Sequence, residues 1–93
     1  MNPVSYNYQT ERPHIFTEDG QVMFLAIRDN AKRLFKQAGC ARALELMGGV
    51  SGSQWMMMAC MDRLIELGEI REITRPEMVW AQHRVFVAVE KEA

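Results

Sequence analysis

The chain has 93 residues, 48% of them apolar, and carries 11 Lys and Arg against 12 Asp and Glu for a net charge of −1. That length allows one small domain, the apolar fraction argues against wholesale disorder, and no apolar run approaches the ~18 residues that span a bilayer. The near-zero charge removes the simplest argument for a nucleic-acid binder, which is a strongly basic domain.

Residues 1–14 lack period and contain Pro3 and Pro13. With the two residues that follow they read as a flexible arm over 1–16, a frayed terminus in the plainer reading, with packing of Tyr6 and Tyr8 on the domain or on a partner as the alternative. The first ten residues are polar, so no secretory signal is expected. A first helix is predicted from Thr17, a good N-cap, because Glu18 and Asp19 then sit where the helix dipole favours negative charge. Gly20 is a weak point in that first turn. Phe24, Ile27, Ala31, Leu34 and Ala38 recur at the spacing of one buried face, Val22, Leu25 and Phe35 widen it, and Gly39 closes the helix. A short second helix is predicted over 41–47 with Leu44 and Met47 inward. Gly48-Gly49 stops it, and Val50 plugs the turn.

The third helix opens with Ser51 and Gln54 as an S-x-x-Q capping box, Ser53 being the alternative cap. Met57, Met61, Leu64 and Leu67 form its inward stripe, Cys60 borders that stripe, and Gly68 ends the helix. The period then changes. Residues 69–74 read as a short strand with Ile70 as its core contact, 75–81 as a loop, and the β-branched and aromatic run 82–89 as a second strand, together a β-hairpin. The domain is therefore expected over 17–89, with a frayed tail at 90–93.

Few residues suggest chemistry. Cys40 and Cys60 are too sparse for a disulfide framework and read as two reduced, buried thiols of a cytoplasmic protein. With His14 and His83 they show no metal-ligand spacing. The Gly-rich run 48–53 lacks the G-K-[ST] ending of a phosphate loop, and no nucleophile–base arrangement can be assembled. No catalytic residue, metal, cofactor or small-molecule substrate is expected, and the chain does not read as an enzyme. The one basic concentration, Arg28, Lys32, Arg33 and Lys36, reads as a solvated helix face or as a phosphate patch.

The order helix, short helix, turn, helix, strand, loop, strand is sharpened by the stretch VSGSQWMMMACMDRLIELGEI over residues 50–70. A turn ending in Val50-Ser51 opens a helix that closes as L-x-x-L-G-x-I, carried by Leu64, Leu67, Gly68 and Ile70. This resembles the winged helix-turn-helix superfamily over residues 17–89, without pointing to one family within it. The resemblance implies an α+β fold of three helices with a C-terminal β-hairpin wing, and a double-stranded DNA partner, as in a small transcription regulator. The third helix would enter the major groove, and the wing would meet the backbone or the minor groove. Carried onto this sequence, the groove-facing positions are Ser53, Gln54, Trp55, Met58, Ala59, Asp62 and Arg63, and the wing positions are Arg71, Arg75 and Arg84. Gln54 would pair with an adenine edge, Arg63 with guanine or phosphate, and Ser53 with phosphate at the helix N-terminus.

The same helix supports a second reading. Four of the eight Met residues fall within 56–61. Consecutive residues point around a helix, so Trp55, Met56, Met57 and Met58 cannot all face one core. With Met57 inside, some of Trp55, Met56 and Met58 would be exposed, and exposed Met and aromatic side chains are enriched at protein interfaces. Asp62 and Glu66 would repel phosphate. The alternative is thus a winged helix used for protein association or homodimerisation through an apolar third-helix surface. Intramolecular cover by the arm or the first helix is the bland counterpart.

Overall fold

The Thr17 hydroxyl holds the first corner of the fold. Its Oγ1 donates to the His14 carbonyl at 2.8 Å and accepts from Gly20 N–H at 3.0 Å, closing one helix and capping the next. The computed structural model describes residues 6–73 and 84–89. Helix α1 spans Tyr8–Ile15, with Asn7 as its N-cap, and α2 spans Glu18–Ala38 and ends at Gly39, whose φ of 79° is left-handed. A three-residue strand, β1 (Cys40–Arg42), leads into a one-turn helix, α3 (Ala43–Leu46). A Gly-rich turn then reaches α4 (Gln54–Glu66), followed by β2 (Ile70–Glu72) and β3 (Val85–Ala88).

The three strands form one antiparallel sheet in the order β1-β3-β2, so the last strand is central. Phe86 pairs with Ala41 on one side and with Glu72 on the other. Phe86, Ala41 and Ile70 are buried, while Cys40, Arg42 and Arg71 alternate outward. The core gathers Ile15 of α1, Phe24, Ile27 and Ala31 of α2, Met57, Met61 and Leu64 of α4, and Phe86 of β3. Asn30 on α2 donates to the carbonyls of Leu46 at 2.8 Å and Gly48 at 2.9 Å, which pins the turn before α4 to the middle of α2. Among the described residues the class is α+β, with four helices and a small antiparallel sheet. None of the helices in the described residues is long and apolar enough to cross a membrane.

Several expectations change. The stretch expected to be a flexible arm contains α1, and Ile15, Tyr6 and Tyr8 pack with the core. The predicted second helix begins later, because Cys40 to Arg42 pair with β3. Its Leu44, expected inward, is 54% exposed. Cys40, expected buried, is exposed on an edge strand, while Cys60 is buried and both are free thiols. The cap of α4 is Ser53, which accepts from Met56 N–H, and not Ser51. Leu67 lies just past the last helical residue and is exposed. Val22 and Leu25, expected to widen the buried stripe of α2, point away from it at 69% and 52% exposure. The predicted loop 75–81, with Arg75 and Trp80, and the tail 90–93 lie outside the described residues.

Gly20 reverses its expected role. A Cβ at this position would sit 2.0 Å from the His14 carbonyl oxygen and 2.6 Å from that of Ile15. The absent side chain is what lets the start of α2 pack against the end of α1.

Candidate functional site

The face of α4 that would enter a groove is a charged one, and α1 lies on it. Tyr6 donates its hydroxyl to Asp62 Oδ2, and Tyr8 donates to Glu66 Oε1 at 2.9 Å. Arg12 Nε reaches both Glu66 oxygens at 3.1 and 3.2 Å, and Arg63 Nη1 reaches Oε1 at 2.8 Å. The guanidiniums of Arg12 and Arg63 also stand over the Phe16 ring, at 5.1 and 5.2 Å from its centroid. Ala59, between Trp55 and Arg63 on that side, is fully buried.

The network continues into the sheet. Arg84 donates to Asp62 Oδ1 at 2.7 Å and to Glu72 at 2.8 and 2.9 Å, with its guanidinium 5.0 Å from the Phe86 centroid. Its side chain is only 12% exposed. Tyr6, Asp62, Arg84 and Glu72 thus link the segment before α1 to α4 and to β2, across long sequence separations.

The titration behaviour follows from this geometry. Hydrogen bonds from Arg63 and then Tyr8 hold the Glu66 carboxyl below its ordinary pKa. Burial, and then the carboxylate each faces, push the Tyr6 and Tyr8 hydroxyls upward. Burial alone would lower the Arg84 pKa, but its bonds to Glu72 and Asp62 outweigh that and raise it. Cys60 is pushed up to about 12 by burial, so its thiol stays protonated and inert at neutral pH. Among the described residues no group of three His, Cys, Asp or Glu could hold a metal ion.

The sequence-predicted residues separate. Ser53 and Gln54 stand exposed at the start of α4, and Arg71 is exposed on β2. Those positions flank the 13 residues of α4, a span of about 20 Å. Arg63 is bonded to Glu66, and Arg84 is enclosed between two carboxylates, so neither guanidinium is a free phosphate ligand. Arg75 is outside the described residues. Of the three interface candidates, Trp55 and Met56 are half-buried, while Met58 is buried at 3% exposure and corrects the expectation of an exposed side chain there. Met58 is a member of the same core cluster as Met57 and Met61.

The residues that sequence reasoning missed lie on α2. Val22 and Leu25, read as core, are the surface. A signal was present: residues 24, 27 and 31 define the inward line, and 22 and 25 fall near the opposite side of a 100° wheel.

No protein-family model matches the chain, and no curated protein or solved structure matches it.

Proposed function

We propose that this chain is a winged-helix-type association module that docks on a protein surface, including that of a second copy, rather than a reader of duplex DNA. The element order α2, β1, α3, α4, β2, β3, with a hairpin closing the helical core, supports the winged-helix reading. The observation that carries the function is the α1 cover. Tyr6, Tyr8 and Arg12 occupy the Asp62 and Glu66 side of α4, so major-groove entry by this helix would require α1 to leave. The carboxylates of α4 are neutralised within the domain and not by a ligand, while apolar side chains of α2 remain exposed. The two free thiols, one of them exposed, fit a reducing cytoplasmic setting.

Duplex binding is the second reading. It rests on Ser53 and Gln54, exposed at the α4 N-terminus, and on Lys32, Lys36 and Arg71, which make no ion pair among the described residues. One pair of measurements separates the two. Sedimentation velocity of the whole chain across about 10 µM to 1 mM should show mass rising with concentration. Fluorescence anisotropy with a mixed-sequence duplex at about 50 mM salt should show no binding at about 10 µM protein. A concentration-independent monomer that binds duplex with a steep salt dependence would overturn the association reading.

A further inference from the structure

Each step along an α-helix turns about 100°, so residues 18, 22, 25, 29, 32 and 36 fall on one line within ~40° to either side. On α2 that line is Glu18, Val22, Leu25, Asp29, Lys32 and Lys36, and all six are exposed. It is acidic at its N-terminal end, apolar in its first half and basic at its C-terminal end. We infer that this stripe is a homodimer interface in which α2 packs antiparallel against α2 of a second copy. The inference rests on the association reading above and names its occupant.

Three observations carry it. The first is charge complementarity. A two-fold axis at Leu25 sets the two Leu25 side chains together and brings Glu18 of each copy opposite Lys32 of the other, about 10 Å to either side of the axis. A parallel pair would stack Glu18 on Glu18 and Lys36 on Lys36 and is repulsive. Asp29 then falls opposite Gln21 of the second copy. The Gln21 amide gives one hydrogen to the Ile15 carbonyl at 2.8 Å and has another to donate.

The second is where the unsatisfied charge lies. Arg12, Arg28, Arg63 and Arg84 are each bonded to a carboxylate within the domain. Of the described charged residues that make no ion pair, Glu18, Asp29, Lys32 and Lys36 lie on the stripe and Asp19 and Arg33 beside it, while only Glu11 and Arg71 lie on other elements. The third is the continuity of the apolar surface. Beside Val22 a depression of about 530 Å³ opens between α2 and the turn before α4, floored by Met23, Ala26, Val50 and Met56. It gives the second copy's side chains a place to seat on the Val22 flank of the stripe.

A single helix pair buries less than a standard interface, so the dimer is expected to be weak and concentration-dependent. Sedimentation equilibrium of the 93-residue chain tests it with paired charge reversals, Glu18→Lys with Asp19→Lys in one protein and Lys32→Glu with Lys36→Glu in another. Each alone should dimerise about tenfold more weakly than the parent. An equimolar mixture should recover the parental affinity, because both ends of the mixed dimer again oppose unlike charges. Reversal at Glu18 and Asp19 also opposes the helix dipole, so Leu25→Glu, at an exposed position, is the companion variant. It should leave the circular dichroism spectrum unchanged and remove the dimer. A parental dimer indifferent to both reversals and to Leu25→Glu would overturn this interface and leave the association reading standing. A parent that stays monomeric to about 1 mM would overturn the interface and the homodimeric form of that reading together.

Discussion

Gly20 separates what a residue type says from what its neighbours say. By helix propensity alone, Gly20→Ala in the first turn of α2 should stabilise the domain by up to about 1 kcal/mol. The added methyl would instead meet the His14 carbonyl oxygen at 2.0 Å, and backbone, unlike a long side chain, cannot swing aside. The expected result is a loss of about 1–3 kcal/mol, read from the urea midpoint at unchanged slope. A gain in stability would contradict the packing described at the α1–α2 corner. Sequence shows a glycine in a helix but not the carbonyl that approaches it. Arg84 makes the same point. It read as a wing cation because its partners, Asp62 and Glu72, are 22 and 12 positions away. Its identity was visible, but its enclosure was not.

At the scale of elements, legibility followed local signal. The start of α2 at Thr17, its end at Gly39 and the inward Met57, Met61 and Leu64 of α4 were readable because caps and a 3.6-residue period are local properties. Strand β1 was not, since three residues carry no period and its partner, β3, is some 45 positions away. Helix α1 was missed for a related reason. Eight residues containing Pro13 are too few to be a stable helix alone, and docking on α4 through the core and the Glu66 cluster supplies the rest.

That dependence makes the docking of α1 pH-sensitive at both ends. Glu66 has a folded pKa below its ordinary value. Its contribution is therefore full above the usual carboxylate range and is lost as pH falls through the folded pKa. Tyr6 and Tyr8 are shifted upward. Their contribution is full below their ordinary pKa of 10.0 and is lost as pH rises through and beyond it. Thermal midpoints of the whole chain between about pH 3 and 11 should fall at both ends, and Tyr6→Phe with Tyr8→Phe should flatten the alkaline fall and leave a shallower acid one, carried by the Arg63 and Arg12 bonds to Glu66. An alkaline limb identical in the parent and the double variant would contradict the Tyr6–Asp62 and Tyr8–Glu66 bonds.

For the whole molecule, the unremarkable composition resolves into a division of labour. In the Met-rich segment of α4, where the sequence left Met56 and Met58 open, Met58 joins Met57 and Met61 in the core and Met56 is half-buried. Among the described residues, Arg12, Arg28, Arg63 and Arg84 are paired with carboxylates within the domain, while Glu18, Asp29, Lys32 and Lys36 are laid out unpaired along the outside of α2, acidic toward its start and basic toward its end. The overall α+β class was legible from the order of periods. The candidate site was not, because which face of α4 is free depends on a helix that the sequence presents as an arm.

On the proposed reading the outside of α2 is the contact surface and α4 stays covered. Amide chemical shifts of the whole chain, followed on dilution from about 1 mM to 20 µM, test it most directly, because they report where the contact lies as well as whether it forms. The expected changes fall on Glu18, Val22, Leu25, Asp29 and Lys32 and along the turn 49–53, with Asp62, Arg63 and Glu66 unmoved. Changes centred on Asp62, Arg63 and Glu66, with α2 silent, would contradict it.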